Sequence, residues 1–580
     1  MKINFQYTAL ILLLATFQFS SAQKEGEDLG NEVVNVVKPY APTISDAFKI
    51  KETPSLEDED NSKKEEIKYN IFSFPVASTF TPSKGRAAAV DKTAQERLFK
   101  NYVTLAIGNY GNANAELFVT ENVGESGYIG GMLRHFSSQG GIKDLVLEDK
   151  FSNSALDLTY GYKQSNLSWT ADLGYQHQIY YWYGVQQDYF GVPDPAKYNG
   201  VDAQHTFHNF YLGSKLALND SFFKEASFKF NRFWDSFDSA ENRFYIKPSF
   251  DFTINDTKIK TDLIVDYVGG DFSNNYDDTG AIKYGYTNFG VHPSFVINRS
   301  DWTIDLGAAA FYSLDLENSN NKFFVYPEIN ASLKVVGDLM IFYAGAEGGL
   351  DQNSYRDLSN QNPFVSPTLS IAPTDRQYDI FAGLKGKLSS AVSYNVRGSY
   401  TSEKNKALFL VNQLPDVGVG FLSDFKGYQL GNSFQLAYDD VKTISFFGEL
   451  KADFTKNVAF GVNATFNSYK TDAQQEAWNL PALKLATTVD VNITPKWYAG
   501  ASLFFVGERK DLIQYGIGGT DIATLDSYLD ANAHVGFKYN ERWTAFLKLN
   551  NIANQAYEKW LNYPVQQFQV MLGANYKFDF

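Results

Sequence analysis

The side chains with the chemistry for catalysis or metal binding are few in this chain. It has six histidines, His135, His177, His205, His208, His292 and His534, and no cysteine. Imidazole is the usual general base and metal ligand near neutral pH. His205 and His208 are the closest pair, but three positions apart on a predicted strand they face opposite sides. They make a poor metal pair and read as solvated or lumen-facing. Asp277-Asp278 have the oxygen chemistry for Ca²⁺, but adjacent acids in a predicted outer loop are usually only solvated. Glu508-Arg509-Lys510-Asp511 reads in the same way, as solvated charge. No His-Glu-x-x-His, Gly-x-Ser-x-Gly or phosphate-cradling glycine loop occurs. An enzyme of the phospholipase or protease kind needs a nucleophile, a base and an orienting group, and no such set can be nominated. The expectation is a non-enzyme with no catalytic residue, no metal site and no cofactor. The residues best suited to contact a ligand are aromatic: Tyr181, Trp182, Tyr183, Tyr189 and Phe190, in the stretch 178–203. They suit an exposed binding surface. The competing reading is an aromatic girdle at a membrane interface, which would claim at least Tyr180 to Tyr183.

The elements that must position these residues are strands. In the closing stretch Gln566–Phe580, Phe568, Val570, Leu572, Ala574, Tyr576, Phe578 and Phe580 share one parity. Gln569, Met571, Gly573, Asn575, Lys577 and Asp579 share the other. Alternate side chains of a strand point to opposite faces, so one face suits lipid and the other a wet interior. About ten residues at ~45° tilt span a bilayer in this way. The same alternation runs through 323–335, 483–493 and 543–550, and its polar parity repeatedly carries charge. A dry core would not tolerate that charge unpaired.

Connections between these runs alternate short and long. Short ones include 163–166, 255–257, 298–301, 337–338, 455–457, 494–496 and 540–542. Long ones include 136–152, 178–203, 272–283, 351–375, 469–481, 507–527 and 554–565. Outer-membrane barrels have short periplasmic turns and longer outer loops. The count is 24 runs, or 22 if 405–439 is one structured outer loop, and 22 is the preferred number. The fold class is therefore all-β, a transmembrane antiparallel barrel over 101–580 in the outer membrane of a Gram-negative bacterium.

Composition agrees. Aromatic residues make up 16% of the chain, with 37 Tyr and 48 Phe, and they favour strands and membrane interfaces. A mean hydropathy of −0.30 excludes a bundle of apolar membrane helices. The net charge of −15 excludes nucleic acid, which needs a basic partner. Residues 1–22 read as a signal peptide: Lys2, an apolar run from Ala9 to Phe19, then Ser20-Ser21-Ala22. Residues 23–100 are charged and proline-punctuated, and read as a mostly disordered periplasmic arm. Ile71–Val76 is apolar enough to pack into the barrel mouth.

Within that arm Glu32, Val33, Val34, Asn35, Val36 and Val37 form a β-prone run. It resembles the TonB box of TonB-dependent receptors, an extended peptide that adds a strand to a periplasmic coupling protein. The competing reading is a run that pairs with the protein's own turns. Leu549-Asn550-Asn551-Ile552-Ala553-Asn554-Gln555-Ala556-Tyr557 resembles the penultimate strand of that family. Pro564, Phe568, Leu572-Gly573 and Tyr576-Lys577-Phe578 loosely match its closing segment. The likeness is closest over Leu480–Phe580. The whole also resembles plug-less receptor-like barrels of Bacteroidota, because 23–100 lacks the look of the family's globular plug. A 22-stranded pore without a plug would be a large hole. The arm, the outer loops or another protein must then close it.

The resemblance implies a receptor or transporter for a solute, coupled or not to a TonB-like periplasmic protein. The alternative is a non-conducting scaffold subunit of an envelope assembly or secretion complex. The partners expected are outer-membrane lipid, a TonB-like protein and a surface or periplasmic lipoprotein.

Overall fold

The computed structural model describes residues 97–186, 195–219, 221–254, 257–276, 280–413, 425–515 and 519–580. The signal peptide, the arm up to residue 96 with Glu32–Val37 and Ile71–Val76, and Tyr189, Phe190 and Asp277-Asp278 lie outside the described residues. Among the described residues no helix is long and apolar enough to cross a membrane.

Twenty-two strands form one sheet, each paired antiparallel with its sequence neighbours in the ring. The first strand, Asn101–Gly108, pairs with the last, Gln569–Phe578, from Asn101 against Phe578 to Gly108 against Met571. That pairing closes the ring and removes every sheet edge. With no edge left, backbone polarity is satisfied sideways, which lipid requires.

The ring's two faces follow the sequence parity. Leu105, Leu133, Leu212, Phe323, Val325, Ile444, Phe446 and Leu572 stand exposed on the outside. Asn575, Asp266, Asp379 and Tyr326 are buried on the inside. Inner side chains pair across strands: Arg134 with Asp157 at 2.5 Å, Lys247 with Asp262 at 2.8 Å, Asn330 with Glu347 at 2.8 Å. A closed ring with oily residues outward and paired charge inward is a membrane-spanning barrel of the outer-membrane kind.

The rims differ as the turn lengths predict. Ten connections at one rim span only two to four residues. The eleven at the other run from four to 22 residues. Both barrel ends, Asn101 and Phe578, stand at the short-turn rim, so the long connections belong outside. Within 405–439 the expectation is one outer loop. The strands Val392–Val411 and Phe434–Thr455 instead run on into both ends of it, because their residues continue to pair. The strand count of 22 is unaffected.

The histidines divide evenly. His205, His292 and His534 share the parity of the inward side chains. His135, His177 and His208 share the outward one. For His208 the solvated or lumen-facing reading is corrected: like His135 and His177, it stands on the lipid side.

Candidate functional site: a cap of outer loops

The long connections turn inward and meet. The clearest anchor is a short helix, α1 (Tyr355–Gln361), in the connection after Met340–Asp351. Ser354 caps it, its Oγ accepting from the Asp357 N–H at 3.1 Å. Tyr355 is fully buried. Its hydroxyl donates to Asp235 at 2.7 Å and its N–H to Glu241 at 2.5 Å. Tyr284 also donates to Glu241, at 2.7 Å. Arg243 grips Asp266 with two nitrogens, at 3.0 and 2.7 Å, and reaches Asp357 with a third at 2.8 Å. The bidentate geometry fixes the guanidinium, so the helix is tied directly to two wall strands and, through Arg243 and Glu241, to two more.

Around α1 lies the largest apolar cluster. It includes Phe207, Phe233, Val268, Phe272 and Phe434 from the wall, with Leu358, Val365, Leu369, Leu561 and Tyr563 from the cap. These residues come from strands far apart around the ring, so they can meet only across its bore. Phe364 stacks on Tyr563 at 3.8 Å. Tyr183 packs on Tyr563 at 4.8 Å and donates to the Pro564 carbonyl at 3.0 Å. The Asn432 amide donates to the carbonyls of Trp182 at 2.7 Å and Gly427 at 2.8 Å. Val365 and Phe434 form a parallel bridge. The connections 182–203, 352–373, 412–433 and 551–568 thus share one core over the outer mouth.

A second anchor holds the late loops. A hairpin, Arg509–Tyr515 with Gly519–Leu525, rises off the wall as its own two-stranded sheet. Arg509 donates to the carbonyls of Lys559 and Glu558 and lies 5.4 Å from the Tyr528 ring. Asp511 is fully buried. It accepts from the Val411 N–H at 3.1 Å and the Asn479 amide at 2.7 Å. Burial pushes the Asp511 carboxyl up to about 6, against the hydrogen bonds that favour its charge. The neck of the last loop is closed by Asn551, in a left-handed conformation. Its amide donates to the carbonyls of Gln555 at 2.7 Å and Gln566 at 3.1 Å. The asparagine-rich run that resembles the receptor family's penultimate strand therefore makes a turn that folds the final loop back on itself.

The structure relocates several expected residues. Trp182 is fully buried. It stacks on His205 at 4.3 Å, and its indole N–H donates to the Phe364 carbonyl at 3.1 Å. Tyr180 packs on Phe207 and Phe364. Tyr180, Trp182 and Tyr183 thus build the cap and do not belong to the girdle. The girdle reading fails because a Trp or Tyr buried with its polar tip satisfied is as stable inside as at an interface. Tyr181 alone keeps the outward parity, its hydroxyl donating to Gln204 at 3.0 Å. Solvated charge is also corrected for Arg509 and Asp511, since both are buried and hydrogen-bonded. Tyr355, Tyr563, Asn432 and Trp560 are the cap residues that sequence reasoning misses. The aromatic pair Trp560 and Tyr563, inside a predicted long loop, was the available signal.

No protein-family model matches the chain, and no curated protein matches it in sequence. Solved structures do match in fold. One is the ferripyoverdine receptor of the outer membrane of Pseudomonas aeruginosa, 13% identical over 83% of this chain and 72% of that one, TM-score 0.61. Another is the siderophore receptor PirA from Acinetobacter baumannii, 11% identical over 82% and 80%, TM-score 0.60. A third is the copper transporter OprC, 12% identical over 83% and 80%, TM-score 0.56. At such identity the likeness is one of fold: the 22-stranded receptor-type barrel.

Proposed function

We propose that the protein is an outer-membrane receptor and transporter, a non-enzyme, for uptake or passage of a solute through a bore that its outer loops gate. The carrying observation is the cap: four long connections share one hydrogen-bonded aromatic core over the mouth of a receptor-type barrel. On this reading Trp182 and Tyr183 meet a solute only when the cap parts, and Tyr181, on the outward face, is not among the contacts. Tyr189 and Phe190 belong to the same loop and are assigned the same role. Glu32–Val37 is the segment assigned to a TonB-like periplasmic protein, by strand addition. Metal chelates are the first solutes to try, since the proteins of like fold include siderophore receptors and a copper transporter.

A second reading draws on the same seal. A mouth closed by a core of this kind also suits a non-conducting scaffold, held with a surface or periplasmic lipoprotein. Deleting Glu32–Val37 separates the two. A coupled transporter loses solute uptake while its barrel still folds. A scaffold still co-purifies with its partners and shows no transport to lose.

A further inference from the structure

One rung of the outer wall is unlike the rest of the lipid-facing surface. His135, Ser154, His177, His208 and Trp234 stand directly opposite one another on five consecutive strands, all with the outward parity. Half the histidines of the chain thus lie on one level of one sector. The rung is built. His135 is held at both ring nitrogens, by Ser154 at 2.8 Å and Ser137 at 3.0 Å. His208 is fixed through Nδ1 by the Tyr175 hydroxyl at 2.8 Å and stacks on Trp234 at 5.1 Å, with the planes 12° apart. His177 packs on His208 at 5.0 Å. Arg232, two residues before Trp234, shares its outward parity.

Its height follows from the strand lengths. Ser154 lies ten residues above Gln164, where the short turn 164–166 begins. About ten tilted residues cross the apolar core. One pair below the rung Arg232 shares the outward face with Tyr175 and Phe210; most of the outward side chains beneath it are apolar or aromatic, with Leu156, Leu158, Leu173 and Leu212, then Tyr160 packed on Trp169 near the short-turn rim. The rung therefore sits at the outer headgroup level, with Tyr175 and Trp234 as its interfacial aromatics.

At that level and one pair below it, three donors look outward unsatisfied. His177, the Nε2 of His208 and Arg232 have no hydrogen bond or ion pair among the described residues. No carboxylate shares the rung, and Glu148, in the loop 139–150, is taken by Lys150 at 2.7 Å. One guanidinium and two imidazole nitrogens able to donate at headgroup depth fit phosphate. We propose that His177, His208 and Arg232 bind the phosphate-bearing headgroup of an outer-leaflet lipid, with Tyr175 and Trp234 packing on its glycan or upper chain. The site does not depend on what passes through the bore.

The test uses the full-length protein in phosphatidylcholine nanodiscs doped with bis-phosphorylated lipid A or with its dephosphorylated form. Native mass spectrometry reads bound lipid. The wild type should retain the phosphorylated lipid over the dephosphorylated one. Arg232→Gln should weaken that retention roughly fivefold, as expected for one cation at a lipid surface. The triple variant His177→Gln/His208→Gln/Arg232→Gln should abolish the preference, with heat-modifiable migration confirming an intact barrel. Equal retention of the two lipids by the wild type would overturn the proposal without recourse to any variant. So would a triple variant that keeps the wild-type preference, or photo-crosslinking from position 177 that captures only protein.

Discussion

The wall and the cap both draw on tyrosine, phenylalanine and charge, yet they follow different rules. In the wall every side chain's surroundings are set by parity and by its two neighbouring strands. Phe323 and Val325 face lipid because they sit two apart on a strand. In the cap Tyr563 meets Phe364, Tyr183 and Asn432, Tyr183 also bonds Pro564, 381 positions away, and no local period announces any of these contacts. The wall tolerates water or lipid on each face. The cap excludes both, so each of its polar atoms needs a specific partner.

That contrast can be broken at the cap's aromatic anchors, where the effect should be largest. Tyr355→Ala removes a buried ring and the shortest of the donors to Asp235. The expected cost to cap closure is about 3–5 kcal/mol, while the barrel keeps its heat-modifiable migration. Protease cleavage within 352–373 in intact cells, absent in the wild type and rapid in the variant, would show it. If the variant stays resistant, the cap is not held through α1.

Next comes pH. The Asp511 carboxyl is pushed up to about 6 from an ordinary 3.8. The closed cap therefore holds this proton more tightly than the open one. Its stability rises as pH falls from about 6 toward 4, and above 6 the buried charge costs roughly 3 kcal/mol. Hydrogen exchange at the Val411 and Leu512 amides, corrected for intrinsic rate, should slow as pH is lowered. In Asp511→Asn that dependence should vanish. Arg509→Met should loosen the late loops by about 2 kcal/mol, since the carbonyls of Glu558 and Lys559 lose their donor. Faster exchange in 551–568, with 352–373 unchanged, would mark the effect as local.

The smallest effect belongs to the short-turn rim. Gly337 has φ +47° with open space where a Cβ would go. Gly337→Ala should cost only about 1 kcal/mol, from backbone strain alone, read as a small shift in urea unfolding. A cost comparable with Tyr355→Ala would erase the distinction between the two regions.

The same distinction explains what could be read in advance. Ring closure, the 22 strands and the sidedness of the rims all rest on period-two alternation and turn length, which are local. So does the division of His205 from His208. The fate of the aromatic run at 180–183 could not be read that way. Parity sends Tyr181 out and Trp182 in, but only the arrival of Phe364 from another loop gives Trp182 a partner for its indole and makes its surroundings a dry core. Arg509 and Asp511 look like solvated charge because the carbonyls and amides that pair with them lie on distant segments. The asparagine run at 550–554 was recognised by likeness, but its task of closing the neck of the last loop is visible only in Asn551's bonds.

The central claim is that the outer loops seal the mouth by packing inward. The chain has no native cysteine, so single cysteines can test it directly. Ser366 and Ser433 are fully buried in the cap, whereas Asn320 stands exposed in a loop at the same rim. In intact, unstimulated cells a membrane-impermeant maleimide should label Asn320→Cys quickly and leave Ser366→Cys and Ser433→Cys unlabelled until the cap is unfolded. Equal labelling of all three would mean that the mouth stands open, and the account would be wrong.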